Sequence, residues 1–64
     1  MYYVLHRPYG SDLPWDELPS FRSCKAAKDA VRVLADQKTK DGGPLCNVKL
    51  CVGKGRDRRD ILRL

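Results

Sequence analysis

Residues 45–52 read LCNVKLCV, and the alternation in this stretch decides the fold. Cys46, Val48, Leu50 and Val52 occupy every second position, with Asn47, Lys49 and Cys51 between them. Successive side chains of a strand point to opposite faces, so the pattern predicts a strand with one buried and one wet face. On that basis Cys46 is a small core residue and Cys51 a partly exposed thiol.

Toward the C-terminus, Gly53-Lys54-Gly55 reads as a turn. The final RDRRDILRL, residues 56–64, is either the returning strand of a hairpin or a short helix. In a strand Asp60, Leu62 and Leu64 share one face; in a helix Ile61 and Leu64 meet. A glycine-containing turn after a clear strand favours the hairpin.

Toward the N-terminus, Asp41-Gly42-Gly43-Pro44 carries the residues that stop helices. Residues 24–38 before it predict that helix, because Ala27, Ala30, Val31 and Leu34 form one apolar stripe with Val33 flanking it. The Ser23 hydroxyl suits the N-cap, where it accepts from a free amide of the first turn. Lys25, Lys28, Asp29, Arg32 and Asp36 gather on the opposite side as a solvated, salt-bridged face. Lys38 and Lys40 complement the C-terminal end of the dipole.

Pro8, Gly10, Pro14 and Pro19 make residues 8–20 a loop, with one helical turn expected at Pro14 and a short strand over residues 18–21. Residues 1–7 (MYYVLHR) are apolar on both alternating faces, which suits a strand covered on both sides. The expected fold class is α+β, with a single helix packed on a small, mainly antiparallel sheet in the order β-(β)-α-β-β.

A chain of 64 residues builds one core and hence one domain spanning residues 1–64. Ligand clefts of about 300 Å3 or more are hard to enclose at this size, so a non-enzymatic protein with no cofactor and no small-molecule substrate is expected. No apolar run is long enough to cross a bilayer, and the apolar start is broken too early by His6, Arg7 and Pro8 to serve as a signal sequence. Three cysteines, Cys24, Cys46 and Cys51, are an odd number, which favours free thiols in a reducing compartment. A cytoplasmic location without a membrane partner is the expectation.

The net charge of +5 is unevenly spread. Residues 1–20 carry −2, from Arg7 against Asp12, Asp16 and Glu17, whereas residues 21–64 carry +7. Such a basic field attracts nucleic acid or acidic protein surfaces.

Four constellations carry possible chemistry. His6 and the three cysteines supply the number of ligands for a zinc site, but a five-residue offset within one strand holds Cys46 and Cys51 roughly 16 Å apart on opposite faces. His6 could serve as base to a thiol, yet nothing in the sequence orients its ring, and a half-buried strand histidine is the simpler account. Gly53-Lys54-Gly55 lacks the spacing of a phosphate loop and reads as a hairpin turn.

The fourth is the surface formed by Lys54, Arg56, Arg58, Arg59 and Arg63, joined by Tyr9 and Trp15 of the loop. Arginine forks bind carboxylate or phosphate, and Trp, Tyr and Arg dominate interface energetics. Asp57 and Asp60 interrupt the row and could instead pair with it internally, and Trp15 could be a lid on a scarce core. The acids Asp12, Asp16 and Glu17 beside the aromatics fit a protein partner better than a phosphate backbone.

The Tyr-rich first strand, Gly10-Ser11-Asp12, Leu18-Pro19-Ser20-Phe21 and the helix opening Ser23-Cys24-Lys25-Ala26-Ala27 resemble the small accessory proteins of phages and prophages. That resemblance covers about the first forty residues and transfers no functional residue. It implies a short single-domain protein that binds and blocks a host protein, as anti-CRISPR inhibitors do. The expected partner is a larger host protein or nucleoprotein with an acidic surface, and direct nucleic-acid binding through the basic C-terminal surface is the alternative.

Overall fold

The computed structural model describes residues 1–54 and 57–63. Four strands and one helix follow in the order β1 (Tyr2–Pro8), β2 (Asp16–Glu17), α1 (Cys24–Ala35), β3 (Cys46–Lys54) and β4 (Asp57–Arg63). The strands form one antiparallel sheet in the spatial order β2-β1-β3-β4. This is the expected small α+β fold, and residues 57–63 return as the second strand of a hairpin.

The core follows from the alternation. β1 and β3 pair from Tyr2↔Val52 to Pro8↔Cys46, which sets Val4 beside Leu50 and His6 beside Val48 on one face. Ala27 and Val31 of α1 close over them, so Val4, Ala27, Val31, Val48 and Leu50 are buried. Tyr2, Leu18, Phe21, Ala30, Leu34 and Cys46 pack around this group. Val33, the flanking residue of the stripe, is exposed.

Ser23 caps the helix as its side chain predicts, accepting from the Ala26 amide at 3.3 Å. The helix ends at Ala35 rather than near residue 38. Beyond it the chain bonds to itself: Thr39 N donates to Gly43 O, Gly42 N to Thr39 O, and Leu45 N to Gln37 O. These bonds draw Lys38 into a bridge with Pro44, so Lys38 and Lys40 lie in the turn and Arg32 is the cation of the last helical turn. On the helix surface, Lys25, Lys28 and Arg32 form no ion pair with Asp29 or Asp36 among the described residues.

Two expectations for the loop are corrected. No helical turn forms at Pro14, and the short strand lies at Asp16–Glu17 instead of residues 18–21. Pro19 has no N–H to donate to a ladder. Only Phe21 beyond it bridges back, exchanging both backbone bonds with Tyr2 at 2.8 Å.

The hairpin contains a further correction. Leu50 pairs with Leu62 while Cys51 pairs with Asp60, leaving Ile61 as an extra residue in β4. Such a bulge reverses the facing of everything beyond it. Leu62 therefore lies on the helix side and Asp60 on the other, although unbroken alternation would place them together.

Leu50 is fully buried at the centre of this sheet. Leu50→Ala is expected to cost about 2–5 kcal/mol, a loss comparable with the whole stability of a core this small, about 3–5 kcal/mol. Urea titration followed by circular dichroism should find the variant largely unfolded without denaturant. Gly53 has φ +152°, and a Cβ there would overlap the carbonyl oxygen of Asp57. Gly53→Ala should therefore lower the urea midpoint, while Gly42→Ala, which has open space but φ +82°, should lower it less.

Candidate functional site: the open face of the sheet

The helix covers one face of the sheet, and the pairing shows what occupies the other. Tyr3, Cys51 and Asp60 form one row across β1, β3 and β4, and Leu5, Lys49 and Arg63 a second, while Arg7 sits beside Asn47 and Gly53 beside Arg58. Glu17 joins from β2 opposite Leu5. Four cations, Arg7, Lys49, Arg58 and Arg63, thus share this face with two carboxylates, Glu17 and Asp60.

Aromatic rings are built into the array. The Arg7 guanidinium lies 4.3 Å and the Lys49 ammonium 4.7 Å from the centroid of Trp15. Arg58 lies 3.7 Å over Tyr3 and forms an ion pair with Glu17. A cation over an aromatic face is worth about 0.5–1 kcal/mol when exposed and about 2 when desolvated. Trp15 is half-buried in this setting and belongs to the open face, so it is not a lid on the helix-side core.

Of the residues expected to form the site, Arg58, Arg63 and Trp15 come together here. Lys54 and Arg59 turn to the helix side at the hairpin end, because they pair with Asp57 and Val52. Tyr9 is exposed just past β1, its amide bonded to Leu45 O at 3.2 Å. Arg56 lies outside the described residues. Arg7, Lys49, Tyr3 and Asn47 complete the site, and the period-two alternation of β1 and β3 was the signal that could have found them.

Asp60 organises the β4 side. It accepts from the Cys51 thiol at 3.0 Å and from Arg63 Nε at 3.1 Å. Its acidity is increased first by the Cys51 hydrogen bond, with Lys49 and Arg63 adding to it, so its pKa lies below the ordinary carboxylate value. Cys51 is pushed up to about 11, chiefly by burial and then by the bond and charge of Asp60.

Of the two strand cysteines, Cys51 departs from its expected role as a partly exposed thiol, while Cys46 packs against the core. Cys51 is buried at 4% exposure, sealed between Tyr3 and Asp60, whereas Cys46 is half-buried near the helix end and donates to Leu34 O at 3.5 Å. They lie on opposite faces, and among the described residues no three His, Cys, Asp or Glu side chains are grouped to hold a metal ion.

At the end of the face where β4 stops, Arg7, Trp15, Asn47, Val48 and Arg63 line a pocket of about 150 Å3. Arg7 donates from Nη1 to Leu13 O at 3.4 Å, and Asn47 accepts from Gly10 N at 3.1 Å through Oδ1. Arg7 Nε is buried and has no hydrogen-bond partner among the described residues. No helix among the described residues is long and apolar enough to cross a membrane. No protein-family model, curated protein or solved structure matches the chain.

A thiol with a pKa of about 11 is ionised to about one part in a thousand at pH 8, and the thiolate is the form that reacts. Iodoacetamide at pH 8, read by peptide mass spectrometry, should modify Cys24 well before Cys51. The sign of the linkage follows: the unfolded thiol loses its proton near 9.0 and the folded one near 11, so the contribution of Cys51 to stability declines as pH rises through that window. Asp60→Asn should speed labelling of Cys51 by removing the charge that opposes the thiolate.

Proposed function

We propose that this chain is a non-enzymatic binding protein, of the kind that phages encode, which inhibits or modulates a larger host protein or nucleoprotein in the host cytoplasm. The open face of the sheet is the contact surface. The observation that carries this reading is the array of Arg7, Lys49, Arg58 and Arg63 around Trp15 and Tyr3 on a face that the helix leaves uncovered.

The arrangement favours an acidic protein surface over single-stranded nucleic acid. Base recognition by stacking needs free aromatic faces, and here cations already lie over Trp15 and Tyr3. Glu17 and Asp60 also interleave with the cations, which suits a partner presenting separate carboxylates better than a continuous row of phosphates. Arginine held against an aromatic ring loses less side-chain freedom on binding a carboxylate.

Capture from host lysate, with and without nuclease, tests the reading when set beside two charge reversals. Lys49→Glu should reduce nuclease-resistant capture of the partner at least tenfold, and Lys25→Glu, on the exposed helix surface, should leave it unchanged. Capture abolished by nuclease, together with a steep loss of affinity for short DNA or RNA as salt rises, would instead establish the nucleic-acid alternative.

A further inference from the structure

The pocket beyond the end of β4 has a lining with one chemical sense. Asn47 uses its oxygen to accept from Gly10 N, so its amide nitrogen is the end that remains to donate. Arg63 bonds Asp60 through Nε alone among the described residues, leaving its two terminal nitrogens. Arg7 uses Nη1 toward Leu13 O, so the edge formed by Nε and Nη2 is left. Guanidinium groups have no acceptor, so among the side chains of Arg7, Asn47 and Arg63 the remaining capacity is to donate, apart from the second lone pair of Asn47 Oδ1.

Two positive charges and an amide lining one pocket form a site for an anion. The remaining edge of Arg7 presents two parallel N–H groups, the spacing that two oxygens of one carboxylate accept. Its Nε is buried, so engagement of that edge requires the atoms that cover it to shift. A buried donor without a partner is costly, and an incoming oxygen would remove that cost.

We infer that this pocket receives the carboxylate of a single acidic side chain. The occupant belongs to the protein partner proposed above, and the inference rests on that reading for its biological setting. The pocket holds about 150 Å3, room for one side-chain head rather than for a chain of linked groups. Trp15 supplies an apolar wall for the methylene stem, and Asp60 beside Arg63 disfavours a polyphosphate continuing along the face.

The binding chemistry can be measured without the partner, which keeps failure of this inference distinct from failure of the proposed function. The full chain, labelled with 15N, would be titrated at constant ionic strength with N-acetyl-glutamate methylamide, its neutral glutamine counterpart and inorganic phosphate. Saturable shifts of the Asn47 side-chain amide and Arg7 Nε–H are expected with the glutamate probe and not with the glutamine probe. Arg63→Gln should weaken the glutamate probe by roughly tenfold, in line with loss of a charge-assisted bond. Asn47→Asp, which keeps the acceptor for Gly10 N, should abolish binding. Absence of saturable shifts, equal response to the neutral probe, tighter binding of phosphate, or unchanged affinity in both variants would overturn the inference.

Discussion

Everything in this molecule depends on the pairing of β1 with β3. Their seven paired positions, from Tyr2↔Val52 to Pro8↔Cys46, fix which side chains can meet the helix. Val4, Val48 and Leu50 are thereby placed under Ala27 and Val31. With one helix available, only one face of the sheet can be buried by apolar packing. The second face must be managed by other means, and those means create the candidate site.

Long cationic side chains and one loop tryptophan perform that task. Arg and Lys stems cover apolar surface while their charged heads remain near water, and here the heads of Arg7 and Lys49 lie over Trp15 while Arg58 lies over Tyr3. The ion pairs Arg58–Glu17 and Arg63–Asp60 add little stability at such exposed positions. Their larger consequence is positional: they hold arginine forks in place on a surface that no other element covers. The same residues that manage the second face thus make up the candidate site.

Much of the architecture was legible because it depends on local periodicity. LCNVKLCV specifies a half-buried strand, the stripe from Ala27 to Leu34 specifies a helix, and Ser23 specifies where that helix starts. Less legible were features set by contacts across the chain. The helix stops at Ala35 because residues 37–45 bond among themselves, and β2 falls on Asp16–Glu17 because it pairs with Leu5 and His6. The candidate site was legible in part: Arg58, Arg63 and Trp15 were drawn together from their chemistry, while Arg7 and Lys49 were hidden in strands read mainly for their apolar residues.

The sequence by itself determined one amphipathic helix, a half-buried strand over residues 45–52 and an excess of cations after residue 20, since propensity, alternation and charge act over a few residues. Tertiary structure decided which cations converge. The extra residue Ile61 turns Arg63 to the same face as Arg58 and Asp60, and a backbone register brings Arg7 beside Asn47 from 40 positions away. Pairing across strands and a one-residue bulge are long-range geometry, and side-chain identity along a single strand does not specify them.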